Sequence, residues 1–253
     1  MPTTAVDRVA PQADQWPVRA RALTTTRASV GASRGPFARF NLAHGCGDEP
    51  GAVEANRRSL EAATSVRRIQ WLRQVHGARC VEAAARAAAE APEADAAWTR
   101  EPGVGVAVLT ADCVPVAVAD RGGSVVGVAH GGWRGLVGGV IASLVAALPV
   151  PPEELVAWLG PAIGPDAYEV GDEVLAAVAA LPDGDGLLRR CARRDGDAEK
   201  PRLDLLALSD HLLRAAGVTT VLGGHWCSHG DARFYSYRRD GTTGRMATVA
   251  WLE

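Results

Sequence analysis

Residues 106–120 read VAVLTADCVPVAVAD. Both ends are apolar and β-branched, the composition of strands buried in a core. Between them stand Thr110, Asp112 and Cys113, with Pro115 just behind. A chain with such runs builds around sheet, and an acid and a thiol in the middle of one require a reason.

The remaining segments alternate strand-like and helical patterns. VRARALTTTRASVGASRGPFARFNLAHG predicts strand, glycine-rich loop and strand. GDEPGAVEANRRSLEAAT predicts a helix, with Asp48 and Glu49 favouring its N-terminal end. RRIQWLRQVHG predicts a strand ending at His76-Gly77, and ARCVEAA a hairpin partner for it. GSVVGVAHGGWRGLVGGVIASLVAAL passes from strand to helix across a glycine-rich turn. ELVAWLGPAIGPDAYEVG predicts a strand and then a loop, and DEVLAAVAAL a short helix. Residues 182–202, rich in Asp, Gly and Arg, predict an exposed loop. LDLLALSDHLLRAAG is the clearest amphipathic helix, with Leu205, Leu208, Leu212 and Ala216 on one face and Gly217 as its stop. The C-terminal 35 residues predict strand-like runs around a Gly-Thr-Thr-Gly turn.

This irregular order favours a mixed sheet, or two packed sheets with helices outside, over a regular parallel fold. Residues 1–17 lack periodicity and predict a mobile tail. Residues 18–253 contain no repeat and no internal linker, so one domain is the simpler expectation.

Charge and cysteine usage narrow the function classes. Twenty-seven Lys and Arg against 29 Asp and Glu leave a formal charge of −2, without the basic excess of a nucleic-acid binder. No run of about 20 apolar residues predicts a membrane span, and no signal peptide is expected. The five cysteines, Cys46, Cys80, Cys113, Cys191 and Cys227, include no CxxC pair. Free thiols in a cytoplasmic setting are the expectation.

Three segments share a design. LRQVHG places His76 at a strand end, LTADC places Cys113 there, and GVAHGGWRG places His130 there. Two imidazoles and a thiolate suit Zn²⁺, or copper, in a three-ligand site with one open position. Spacing alone does not show convergence, and each residue by itself also reads as core. Gly131, Gly132 and Gly135 allow close approach, and Arg134 adds charge beside the helix start. Two rivals stand beside this reading. His225, Cys227 and His229 of HWCSH would share one face of a strand. A metal-free Cys113–His dyad would activate the thiol for nucleophilic attack. Arg238, Arg239 and Arg245 near the last turn read as an anion clamp or as ion pairs with Asp231 and Asp240.

Taken together, TTRASVG, FARFNLAHGCGDEPGAVEANRRSL, WLRQVHG, LTADCVPV, VAHGGWRG, LGPAIGPDAYEVG and FYSYRRDGTTGRMA resemble the YfiH-type family over residues 22–253. That family is variously called polyphenol oxidase or laccase-domain protein, purine nucleoside phosphorylase-like enzyme, and peptidoglycan editing factor. The resemblance implies an α/β (α+β) fold, an αββα sandwich with mixed β-sheets related to cysteine hydrolases of the cytotoxic necrotizing factor type. It implies a zinc site, copper being the alternative, on His76, Cys113 and His130. On this reading the strand breaks in order to aim Cys113 at a metal.

The implied activity is phosphorolysis of adenosine, inosine and 5′-methylthioadenosine, together with adenosine deamination. The partners are then a purine nucleoside and inorganic phosphate, with a monomer as the default. A water whose pKa the ion lowers suits attack at C6 of adenine, with Asp112 or a histidine moving the proton. Arg27, Asn41, Arg134 and Arg245 are the candidate pocket residues. The family's IGPxxYEVG segment often has Cys before Tyr; this chain has Ala167 there. For His44 and Cys46 two readings stand, a surface or packing role first and the border of the pocket second. The alternatives are an amidase that removes L-serine from peptidoglycan precursors, copper oxidation of phenols, and a partner-binding protein with a vestigial metal site. A laccase needs several copper ions and many more histidines than six.

Overall fold

Val106, Ala107 and Val108 are consecutive, and their side chains enter two different cores. This alternation is why the run is apolar throughout: its sheet is covered on both faces. The structure, a computed structural model, describes residues 6–84, 90–194 and 200–253.

Along the chain lie β1 (Arg8–Val9), β2 (Ala20–Thr25), α1 (Pro50–Thr64), β3 (Arg68–Gln70), β4 (Cys80–Glu82) and β5 (Ala96–Thr99). Next come β6 (Val104–Thr110), β7 (Val114–Asp120), β8 (Val126–Gly131), α2 (Trp133–Val137), α3 (Val140–Ala147) and β9 (Leu155–Leu159). The remainder is α4 (Asp172–Ala179), α5 (Gly184–Cys191), β10 (Ala192–Arg193), β11 (Arg202–Leu203), α6 (Leu205–Ala215), β12 (Thr220–Gly223), α7 (Tyr237–Asp240) and β13 (Met246–Leu252).

Among the described residues β10 and β11 pair by themselves, and of the two large sheets one has the order β1-β2-β13-β6-β3 and the other β12-β9-β7-β8-β5-β4. Both are mixed: β3–β6, β12–β9 and β4–β5 run parallel, and the other pairings antiparallel. Their facing surfaces share a core of Val106, Val108, Ala117, Val128, Trp158 and Ala250. Outside the six-stranded sheet, Val116, Leu144, Val174, Leu187 and Leu208 pack α3 to α6 onto it. Outside the five-stranded sheet, Leu60 of α1 meets Leu23, Ala107 and Val249. The architecture is therefore a mixed α/β sandwich, helix layer, two sheets, helix layer.

Several sequence expectations change in the structure. The two runs of VAVLTADCVPVAVAD form β6 and β7 as expected, but in different sheets. Residues 111–113 are thus the crossover between layers. The strand expected through His76 stops at Gln70, and the following residues form a loop with a single bridge from Arg73 to Glu93. ARCVEAA is not its hairpin partner: β4 pairs parallel with β5 in the other sheet. FARFNLAHG forms no strand; Phe40 and Leu42 are buried in loop conformation instead. Within residues 182–202, α5 buries Leu187 and Cys191; residues 195–199 lie outside the described residues. Arg190, Arg193 and Arg194 pair with Asp183, Asp166 and Asp172. The amphipathic helix α6 buries Leu205, Leu208, Ser209 and Leu213, so its face turns slightly from the expected one. From Val6 the tail is packed: β1 pairs with β2, and Val6, Val9 and Trp16 are buried. Residues 1–5 lie outside the described residues.

Candidate metal centre

Three breaks in regular structure meet at one end of the sandwich. His76 follows β3 in a loop with φ 59°, Cys113 is the last residue of the β6–β7 crossover, and His130 is the penultimate residue of β8. One donor atom from each lies within 4.8 Å of the other two. The His76 and His130 rings meet edge-on with centroids 4.7 Å apart. Among the described residues this is the one such group of three His, Cys, Asp or Glu.

Local sequence explains the convergence. β6 ends at Thr110, and Asp112 turns the chain with φ 105°. The Asp112 carboxylate accepts from the Ser228 hydroxyl at 2.6 Å and from the Arg238 backbone N–H at 2.7 Å. Both carboxylate oxygens are thereby committed to holding the crossover. Gln74 anchors the His76 loop: its amide donates to the Leu109 carbonyl at 2.9 Å and accepts from the Leu109 N–H at 2.7 Å.

Asp95, just before β5, joins two ligands and was not singled out by the sequence. Fully buried, it accepts from the backbone N–H groups of Val75, His76 and Gly77 at 2.8–3.0 Å. It also lies 2.8 Å from His130 Nδ1. That contact leaves Nε2 of His130 for the cluster, the arrangement by which a carboxylate orients a metal-binding imidazole. Burial pushes the Asp95 carboxyl up, but the His130 hydrogen bond, the N–H groups of Val75 and Gly77 and the His130 charge outweigh it and hold it low.

The electrostatics suit a thiolate. Burial pushes the Cys113 thiol up, yet the charge and hydrogen bond of His130, with help from His76, bring it down to about 6. Burial pushes His130 down, and the Cys113 charge with the Asp95 hydrogen bond brings it up to about 9. Both shifts favour a thiolate–imidazolium pair in the metal-free protein. The donor set fits a metal ion. Ligand atoms on a tetrahedral ion with bonds of about 2.0–2.3 Å lie roughly 3.3–3.8 Å apart, within about 1 Å of the spacing here. Two nitrogens and one sulfur suit zinc or copper.

The cluster opens into a cavity of about 760 Å³, within the usual range for small-ligand sites. Arg57, Arg73, Arg245, His44, Cys46 and Tyr237 are among its lining residues. His44 and Cys46 thus border the cavity rather than serving only as surface or packing residues. Of the other candidate residues, Arg245 lines it. Arg27 lies over the Tyr235 ring and pairs with Asp240. Asn41 is fully buried and braces the loop, donating to the Ala43 carbonyl and Asp48 and accepting from the N–H of Arg245. Arg134 lies over Trp133, outside the lining, but its charge reaches Tyr168. That phenol is pushed up to about 12 by burial and by the Cys113 charge, against the pull of Arg238 and Arg134.

HWCSH forms no cluster among the described residues. His225 stacks on Trp226, and Cys227 Sγ accepts from the N–H groups of Gly164 and Gly230. All five cysteines are free thiols. Arg239 binds Asp240 and the carbonyls of Ser228, His229 and Phe234, a structural role. Among the described residues no helix is long and apolar enough to cross a membrane.

Comparisons with known proteins show the family. The family described as multi-copper polyphenol oxidoreductase laccase matches residues 21–253. A Pseudomonas aeruginosa protein named purine nucleoside phosphorylase is 46% identical over 239 residues, covering 94% of this chain and 95% of the relative. The purine nucleoside phosphorylase YfiH of Escherichia coli K12 is 41% identical over 242 residues, covering 94% and 97%. A solved Neisseria meningitidis structure aligns with TM-score 0.89 at 39% identity, covering 98% of this chain and 99% of its own. That of Bacillus licheniformis YfiH aligns with TM-score 0.88 at 28% identity, covering 98% and 97%. Matched over nearly its whole length in sequence and in fold, the chain belongs to the YfiH-type family, described as multi-copper polyphenol oxidoreductase laccase.

Proposed function

We propose that the chain is a metal-dependent purine nucleoside phosphorylase acting on adenosine, inosine and 5′-methylthioadenosine, with adenosine deamination at the same centre. One observation carries the reading: two imidazoles and a thiolate meet at a nucleoside-sized cavity that also presents arginines. The names of the relatives support it. The setting we propose is a cytoplasmic monomer.

His76, Cys113 and His130 hold the ion in this reading, zinc before copper. When bound, the ion would supply Lewis acidity. Asp95 keeps His130 in the tautomer that presents Nε2 and holds the His76 loop. Asp112 aims Cys113 through the crossover. In phosphorolysis a phosphate oxygen bonds to the ribose C1′ as the bond to the purine nitrogen breaks, and the departing base takes up a proton. Arg245 brings charge to the phosphate. Arg27 and Asn41 support that wall of the cavity, and Arg134 acts through the field near Tyr168. In deamination, water adds at C6 and ammonia leaves.

The test is incubation of zinc-loaded protein with adenosine and phosphate, following adenine, inosine and ribose 1-phosphate. Turnover well above a Cys113→Ala control is expected; turnover equal to that control sinks the proposal. A second reading rests on the order Asp95–His130–Cys113, which is also the relay of a cysteine hydrolase. It would act as an amidase on peptidoglycan precursors. Release of L-serine that persists in chelator would favour it. Copper oxidation of phenols ranks last: the chain has six histidines, and two of them belong to the single donor cluster among the described residues.

A further inference from the structure

Arg57 projects from α1 into the cavity that holds the three ligands. Its Nε donates to the Leu42 carbonyl at 3.0 Å, and its guanidinium lies 4.1 Å over the Trp71 ring. Among the described residues, neither terminal nitrogen has a hydrogen-bond partner. Arg245 approaches from the other side of the same residue: the Leu42 N–H donates to the Arg245 carbonyl at 3.3 Å. One Arg245 terminal nitrogen binds the carbonyls of Thr243 and Gly244, and no partner occupies the other among the described residues.

Three nearby acids are engaged by other groups, while Glu90 lines the same cavity. Glu54 pairs with His44 at 2.8 Å, Glu61 accepts from the Ile69 N–H, and Glu93 pairs with Arg73. Burial pulls the Arg57 pKa down, against Glu54 and Glu61. The stacked, partly desolvated guanidinium is held at Nε and keeps both terminal nitrogens open, and the charges of Glu54 and Glu61 reach it without a hydrogen bond. We infer that Arg57, with Arg245, forms a subsite for a phosphate dianion beside the metal centre. Both arginines line the one cavity, and a phosphate dianion there has acceptors for each and charge to balance the pair. Arg57 is the residue that reads it, because Trp71 and Leu42 fix its plane before the ligand arrives. The inference deepens the phosphorylase reading and rests on it for the source of the phosphate: free inorganic phosphate, rather than a phosphate carried by the nucleoside.

The experiment titrates zinc-loaded full-length protein with inorganic phosphate and, separately, with adenosine 5′-monophosphate, by calorimetry and ³¹P NMR. Arg57→Gln keeps a planar amide over Trp71 and a donor for Leu42. Arg57→Lys keeps the charge and loses the fork. Arg58→Gln, exposed on the same helix, is the control, and circular dichroism melts check folding of each. Both Arg57 variants are expected to weaken phosphate binding by about tenfold to a hundredfold, with Arg58→Gln unchanged. The KM for phosphate should rise by a similar factor, while the KM for adenosine stays within about twofold.

Loss of monophosphate binding alone, without any binding of inorganic phosphate, would overturn the free-phosphate assignment. Unchanged phosphate binding and KM in both folded variants, with turnover intact, would overturn the subsite and leave the phosphorylase reading standing. Arg57-dependent phosphate binding without nucleoside turnover would overturn only the phosphorylase reading.

Discussion

Gly132 has an ordinary φ of −71°, so backbone conformation does not demand glycine there. Space does: a Cβ would lie 2.7 Å from His76 Cδ2 and 3.2 Å from Cys113 Sγ. Gly132→Ala is therefore expected to push two ligands apart and lower zinc affinity at least about tenfold, comparable to losing an orienting partner. Competition with a chromophoric chelator measures it. The ligand charges give a second prediction. In the metal-free protein Cys113 is thiolate above about pH 6 and loses that charge as pH falls through it. Alkylation by iodoacetamide should show its midpoint near 6, well below a free thiol. His130 keeps its proton until pH passes about 9. Zinc binding near pH 7.5 should therefore release about one proton, mainly from His130. Calorimetry in buffers of differing ionisation enthalpy counts it. The three candidate ligands stood out because each interrupts or closes an apolar run, and it was the family resemblance that joined them into one site. Asp95 did not: an acid before a strand reads as a solvated flank. Arg57 was hidden in the same way, as one charge among several on an amphipathic helix.

The β6–β7 crossover shows how an element boundary becomes a functional part. Asp112 sits at positive φ with both oxygens engaged. Asp112→Asn keeps the shape but sets an amide N–H against one of the two donors. The expected cost is about 2 kcal/mol by urea unfolding, with weaker zinc binding because Cys113 rides on this turn. Stability loss with unchanged zinc affinity would separate the turn from the centre. At this scale β6 to β9, α1, α4 and α6 were legible from apolar runs and caps. The loops around Phe40 and His76 were not. Their alternating residues mimic strands, while their burial comes from packing against α1 and the sheet edge.

Across the whole molecule, the three ligands come from segments belonging to different sheets, so a bound ion ties the layers together. An ion that binds only the folded state stabilises by mass action, about 4 kcal/mol when present at a thousand times its dissociation constant. Chelation should then lower Tm by on the order of 10 °C; an unchanged Tm would show that the sandwich holds the site without it. From sequence alone, alternating and continuous apolar runs determined a mixed sheet or two packed sheets with helices outside, because burial period is a local property of the chain; the family resemblance narrowed this to the αββα sandwich. The motif residues likewise marked His76, Cys113 and His130. Which strands pair, that β6 and β7 part into separate sheets, and that Asp95 and Arg57 reach the centre were decided by the tertiary structure. Those facts depend on contacts between residues far apart in the chain, and local patterns carry no record of them.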